Sequence, residues 1–376
     1  MSPCRACSSV DVTTVLDLGR VPAADTFPSV GSPPGNDERH SLAMGLCTAC
    51  GLAQLLHDDT RADEPRGVEP EALRRAASHA MDQIVRRGWL PVGAVVREYG
   101  SPHGGSWIPD VVGRGISDAA PAHVGSGPAD LVVDGFGLMH EPNQAAALIE
   151  RRELLGDRGV LVLQIHSFAT IVRERQWNAL RHGHFAYWSL TALESALQSA
   201  GLTSLGCWES DLYGGTLLVS ARRADGNGPD APAADLEAAR RVRESEAAAG
   251  ITRPVLVSAL GSAMSADVAA LRAVLADSVL TGTAIAAYGA ASRAVALFAM
   301  AGVDASMIGA VVDASPAKWG RRMPATDVPI VGPDWMYAHR PDRVLVTVPD
   351  LVPEVAAAHP DLHIVDLISV TEGSRT

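Results

Sequence analysis

The chain has 376 residues, 47% of them apolar and 20% charged, with a net charge of −12. That length and composition predict an ordered protein of about two to three domains with real cores, and exclude a disordered chain. The acidic balance, with no long Lys/Arg run, argues against nucleic acid or an anionic membrane as partner. No apolar stretch reads as a bilayer span, and "MSPCRACSSV" lacks the basic flank and apolar run of a signal peptide. A cytoplasmic protein is the expectation.

Cysteine spacing defines the first module. Cys4 and Cys7 form one CxxC, Cys47 and Cys50 a second, and Cys207 stands alone. Two such turns each aim two sulfurs at one point, which fits a closed tetrahedral zinc site of structural type. A hairpin between the pairs would fill the interval, and residues 1–65 are expected to form a zinc-bound module with little helix. Cys207 reads as a core residue.

A central domain is expected over 66–250. "PEALRRAASHAMDQIVRRGW" has helical periodicity without a breaker. "VGAVVREYGSPHGG" is a short strand running into a glycine turn, and "ADLVVDGFG" and "GVLVLQIHSF" are buried strands around a helix in "NQAAALIERRELLG". "SLTALESALQSAGL" carries a Ser N-cap and stops at Gly201, and "TLLVSARR" is another strand. A Gly/Pro/Asp-rich linker then leads into a polar helix. A third domain, 251–376, repeats the alternation: a helix in "MSADVAALRAVLADSVLTG", strand–turn–helix in "TAIAAYGAASRAVALFAMAGV", and strands in "MIGAVVDAS", "RVLVTVP" and "LHIVDLI". Alternation of this kind predicts α/β domains with mostly parallel, doubly wound sheets.

Three constellations carry chemistry. Glu98, Gly100, Gly104 and Gly105 lie at a strand-to-helix junction, where nucleotide and S-adenosylmethionine pockets form; a plain tight turn is the alternative. "AAYGAASRAV" (Tyr288, Gly289, Ala290, Ala291, Ser292, Arg293) is a similar junction that fits a phosphate, with Arg293 as counter-charge, or again a plain turn. "RHGHFAYWSL" places His182 and His184 two apart, on one side of a strand. A metal site there needs His166 or Asp211 to converge; a buried, satisfied pair and a general base near neutral pH are the other readings.

In this order the motifs resemble the nucleotide-sugar C-methyltransferase family along nearly the whole chain. "LDLGRVPAADTF" and "CTACGLAQL" are similar to its zinc-binding domain. "EYGSPHGG", "RHGHFAYWSLTALESALQSAGL" and "YGGTLLV" are similar to its methyltransferase core. "AAYGAASRAVAL" and "VVDASPAKWGRRMPATDVPI" resemble its C-terminal Rossmann-like domain. The resemblance implies a structural zinc, S-adenosylmethionine as cofactor and a nucleotide-linked 4-keto sugar as substrate. A base removes the proton beside the keto group, and the enolate carbon takes the methyl. On the family's Tyr-His-Glu-His pattern His184 falls on the base, His182 on the first histidine and Tyr187 on a following tyrosine. Glu98, Gly100, Ser101, Gly104 and Asp118 fall on the cofactor side, and Tyr213, Gly214, Tyr288 and Arg293 on the substrate side.

The chain departs from that pattern. Arg181 replaces the tyrosine and Gly183 the glutamate; Pro102, His103 and Gly104 replace Asn-Asp-Gly. About 30 residues separate Gly100 from "ADLVVDGFG", too few for two helices and two strands, and Asp118 is the one nearby acid for a ribose. A truncated cofactor half is expected. Two reactions follow: methylation through an enolate, or methyl-free chemistry (epimerisation, isomerisation, elimination or cyclisation) from the same proton abstraction. A non-catalytic pseudoenzyme is a third reading.

Overall fold

The computed structural model describes residues 2–60, 69–100, 105–123 and 127–367. Its two CxxC turns bracket the expected hairpin: β1 (Val12–Pro22) runs antiparallel to β2 (Arg39–Cys47), and β3 (Ala53–Leu55) follows the second turn back along β2. Little of this segment is helical, because Gly, Pro and alternating apolar residues favour turns and two-faced strands.

The central domain runs α1 (Glu71–Arg86), β4 (Val95–Tyr99), α2 (Ile108–Gly113), β5 (Asp118–Pro121), β6 (Ala129–Gly135), α3 (Gln144–Leu154), β7 (Leu155–His166) and α4 (Phe168–Arg173). It continues with β8 (Ala186–Tyr187), α5 (Leu190–Ser199), β9 (Leu202–Ser210) and β10 (Thr216–Arg223). Its sheet has the order β5-β4-β6-β7-β10-β9, with β5, β4, β6 and β7 parallel and the last hairpin antiparallel. Between β4 and β6 the described residues hold one six-residue helix and one four-residue strand. This is the trimmed half that the spacing predicts. The sequence reading leaves β9 unassigned; it is a full strand, and Cys207 is fully buried on it.

β8 is the unexpected element. It leaves the central domain and pairs antiparallel with β3, as Ala53↔Tyr187 and Gln54↔Ala186, completing the N-terminal sheet as β1-β2-β3-β8.

After α6 (Ala233–Ala249) and the short α7 (Pro254–Val257) comes α8 (Ala259–Thr281), followed by β11 (Ile285–Tyr288) and α9 (Ser292–Ala301). Then follow β12 (Val311–Val312), β13 (Ile330–Val331), α10 (Asp334–His339), β14 (Arg343–Val346), α11 (Val352–Ala358) and β15 (Ile364–Asp366). The sheet is all parallel, in the order β13-β12-β11-β14-β15, and so Rossmann-like. The segment Pro254–Thr281 is longer and more apolar than the sequence reading allows: an 18-residue window reaches mean hydropathy 1.5, and a third of it is buried. Its buried side, with Val257, Leu260, Leu271 and Leu275, shares one core with Val15, Leu18 and Met44 of the N-terminal sheet and with Val295 and Phe298 of α9.

Each parallel sheet reverses strand order once, between β4 and β6 in one and around β11 in the other. Ligands of open α/β sheets bind at the carboxyl ends of strands at such switch points. Under the central one lies a fully buried ion pair, Arg151 Nε to Asp134 Oδ2 at 2.6 Å, with Leu138 N–H donating to the other oxygen at 3.0 Å. Arg151 also lies 4.0 Å over the Tyr99 ring. Removing one partner strands a charge in the core, so Arg151→Met should cost about 3–5 kcal/mol in denaturant unfolding. Changing Asp134 to Leu as well should recover part of that loss.

Candidate active site

The two switch points face each other across one cavity of about 330 Å³. Glu98, Gly100, Gly135 and Gln164 line it from the central sheet, Tyr288 to Arg293, Asp313 and Asp350 from the C-terminal one, and Arg181, His184 and Tyr187 from the loop into β8. Glycine at 289 is required on two counts: its φ is +94°, and a Cβ would sit 2.8 Å from Thr347 Oγ1.

The loop 181–188 distributes its side chains over three environments. Gly183 has φ +77°, so the chain turns between the two histidines and they do not share a side as strand period would have it. His182 is buried away from the cavity, with Nε2 3.3 Å from Ser41 O and its ring edge-on to His40 at 5.8 Å. His184 is on the cavity wall, 4.5 Å edge-on from His140, and its Nδ1 accepts from Arg181 Nε at 3.4 Å. Tyr187 is buried with its hydroxyl accepting from Arg181 N–H at 3.1 Å, and burial raises its phenol above the ordinary range. Trp188 turns into the core, its indole donating to Gln144 Oε1 at 3.0 Å. The backbone of Gly183 is itself held: its N–H donates to Asp58 at 2.6 Å, and its carbonyl is 2.9 Å from His140 Nδ1.

On the substrate side, Arg293 lies 5.2 Å from the centre of the Tyr213 ring and donates to His166 Nδ1 at 3.3 Å. Burial, and then the charge of Arg181, push its guanidinium down to about 10. Gly214 only turns the chain behind Tyr213, its N–H donating to Asp211 O at 3.0 Å, and does not line the cavity. The turn at 289–292 is not an open phosphate cradle, because Asp313 accepts the Ala290 N–H at 2.8 Å.

Of the residues expected on the cofactor side, the described ones reach the cavity only in part. Both carboxylate oxygens of Glu98 are taken at 2.5 Å, by Ser106 Oγ and Trp107 N–H, and burial raises its pKa. Asp118 does not reach the cavity: it opens β5 at the far end and pairs with Arg97 at 2.7 Å, more than half exposed. At the end of β5 that faces the cavity, Pro121 sits opposite Glu98 and Ala122 donates to Glu98 O at 2.7 Å; residues 119–129 contain no acid. Ser101 and Gly104 lie outside the described residues.

The four thiols of the N-terminal module gather within 4.8 Å of one another, with Cys4 3.5 Å from Cys50 and Cys7 3.7 Å from Cys47. Zn–S bonds of about 2.3 Å in a tetrahedron put sulfurs roughly 3.8 Å apart, so the set fits zinc and leaves no open position for catalysis.

A model described as "Putative zinc binding domain" matches residues 4–62, and one described as "C-methyltransferase C-terminal domain" matches residues 211–365. The C-methyltransferase NovU of Streptomyces niveus is 26% identical, over 94% of this chain and 90% of its own. The chain is thus similar to a C-methyltransferase along most of its length. Among solved structures, magnesium protoporphyrin IX methyltransferase from Synechocystis PCC 6803 aligns at 12% identity and TM-score 0.31, over 42% of this chain and 90% of its own. The N-methyltransferase NodS from Bradyrhizobium japonicum aligns at 16% and 0.29, over 42% and 99%.

Sequence reasoning raises His166 only as a candidate metal ligand and misses its place beside Arg293. His166, at the end of β7, is buried behind Arg293, and only the fold brings it there; the continuous apolar run before it marks only the strand that carries it. Burial first, then the charges of Arg293 and Arg181, hold its imidazole well below its ordinary pKa of 6.5, so it is neutral and accepts from Arg293. Below pH 6.5 the unfolded chain takes up a proton that folded His166 refuses, and His182 acts in the same direction. Stability is therefore complete above that pH and falls as pH drops, and His166→Gln should flatten the fall between about pH 6.5 and 5 in urea titrations.

Proposed function

We propose that the chain is a C-methyltransferase-type enzyme that removes the proton beside a carbonyl group of a small molecule held between the two switch points. The observation that carries this reading is the convergence of both strand-end crevices on one cavity with His184 on its wall. The proton acceptor is the lone pair of His184 Nδ1. Arg181 Nε now sits on that atom at 3.4 Å, and must yield it to the substrate. Arg181 and Arg293 supply positive charge for the enolate oxygen, and placed cations of this kind are the larger share of such catalysis. Tyr187 stays a protonated phenol and anchors the Arg181 backbone. The motif resemblance supports a nucleotide-linked keto sugar of secondary metabolism as substrate.

S-adenosylmethionine, when bound, supplies an electrophilic methyl group for the enolate carbon. Gly100, Gly135 and the neighbourhood of Glu98 offer one half of its cradle, at the carboxyl ends of β4 and β6. The other half, an acid for ribose hydroxyls at the end of β5, is absent from the described residues and from the sequence of residues 119–129. That absence favours a second reading, in which the same proton abstraction serves epimerisation, isomerisation, elimination or cyclisation.

Calorimetric titration with S-adenosylmethionine and S-adenosylhomocysteine separates the two. Micromolar binding of both supports methylation; no heat from either, with turnover in the absence of added cofactor, leaves the methyl-free reading. In both cases His184→Ala should lower activity about 10²–10⁴-fold, and unchanged activity removes this residue as the base. Elemental analysis should find about one zinc per chain, lost on changing Cys47 to Ser.

A further inference from the structure

We infer that the cavity seats an oxyanion of the substrate between Arg181 and Arg293, within reach of His184. The inference rests on the reading that this cavity takes the reacting molecule. The two guanidiniums come from different domains, one from the loop before β8 and one from the first turn of α9, and Arg181 reaches Ser292 beside Arg293. They are close enough for the charge of Arg181 to depress Arg293. Among the described residues no carboxylate forms an ion pair with either.

What they touch instead are hydroxyl and imidazole groups. Arg181 donates to Ser292 Oγ and His184 Nδ1, and Arg293 to His166 Nδ1. A guanidinium carries five N–H donors in a planar fork, so most of this set faces the cavity unspent. Of the acids lining the cavity, Asp313 and Asp350 accept backbone N–H groups, and the charge of Asp350 also favours the charged form of Arg293. Asp313 accepts from Ala290 N–H at 2.8 Å and Ser315 N–H at 2.8 Å, and Asp350 accepts from Tyr213 N–H at 3.1 Å. The Asp313 carboxylate thus fills the glycine turn where a phosphate would otherwise sit, and an incoming anion is directed to the arginine pair. Two like charges drawn out of water with no carboxylate in direct contact are costly, and a bidentate oxyanion relieves that cost. Because Arg181 also holds His184, the anion belongs to the reacting end of the substrate. Carboxylate and phosphoryl oxygens share this chemistry.

The test uses the zinc-loaded full chain, with malonate as carboxylate probe and inorganic phosphate as phosphoryl probe, against chloride at equal ionic strength. One of them should raise the melting temperature saturably, following RT ln(1 + [L]/Kd), and which one identifies the source of the oxyanion. Arg181→Met and Arg293→Met should each weaken that probe at least tenfold, Arg181→Lys should keep it within a few-fold, and His184→Gln should leave it intact. If Arg293→Met does not fold, the contrast between Met and Lys at the half-exposed position 181 decides. No saturable effect beyond chloride, or an effect that survives Arg181→Met (an adventitious ion only), overturns the inference. The His184→Gln arm keeps this outcome separate from failure of the proton-abstraction reading, because anion binding does not need the base.

Discussion

Two residue pairs, Ala53 with Tyr187 and Gln54 with Ala186, tie the central domain to the zinc module, and the site depends on them. A two-residue strand cannot hold a loop by itself, since fixing each residue costs about 1–2 kcal/mol of backbone entropy. The surrounding backbone supplies the rest. Leu55 N–H donates to Phe185 O at 3.2 Å, Phe185 N–H to Met139 O at 2.7 Å, and Gly183 N–H to Asp58 at 2.6 Å. Arg5, between the first two cysteines, donates to Leu55 O and Pro142 O and lies over Phe185. The cluster that fits zinc therefore braces the strand against which Arg181 and His184 are aimed. Its effect on chemistry is through geometry, as the closed thiolate set requires.

The second constraint is topological. Neither sheet encloses a ligand alone, because a switch point is a crevice open on one side. Setting two crevices face to face closes each with the other, and the side chains that meet in the middle come from segments more than a hundred residues apart. Arg181 reaches Ser292, and Arg293 reaches His166. Such contacts have no local signature.

That explains which parts were legible in the sequence. Periodicity and Gly/Pro punctuation mark α1, α5, β4, β6, β7, β10 and the strand–turn–helix of β11 and α9, because those patterns express one buried face per element. The CxxC spacing marks the thiol cluster for the same local reason. β8 is invisible, since its partner strand lies in the N-terminal module far away in the chain, and β9 is masked by a polar, tryptophan-bearing run that packs against α5, α6 and β10. The period-2 argument for His182 and His184 fails at a single backbone torsion, the positive φ of Gly183. At that position the departure from the Tyr-His-Glu-His pattern is also a conformational gain: a residue with a Cβ would be strained there, and glycine lets one histidine serve the N-terminal sheet and the other the cavity.

The losses and gains around the cavity point one way. On the cofactor side an acid is missing at the end of β5, and the acid at the end of β4 spends both oxygens on the turn that follows it. Beside His184 two guanidiniums, Arg181 and Arg293, line the cavity. An enolate needs positive charge where the oxygen develops, and needs it whatever the carbon does next. The polar groups thus gather on the histidine and arginine side of the cavity and are sparse at the carboxyl end of β5 among the described residues. Under the proposed function, proton abstraction is the step these charges serve, and the fate of the carbanion is the step on which a methylating and a methyl-free enzyme would differ.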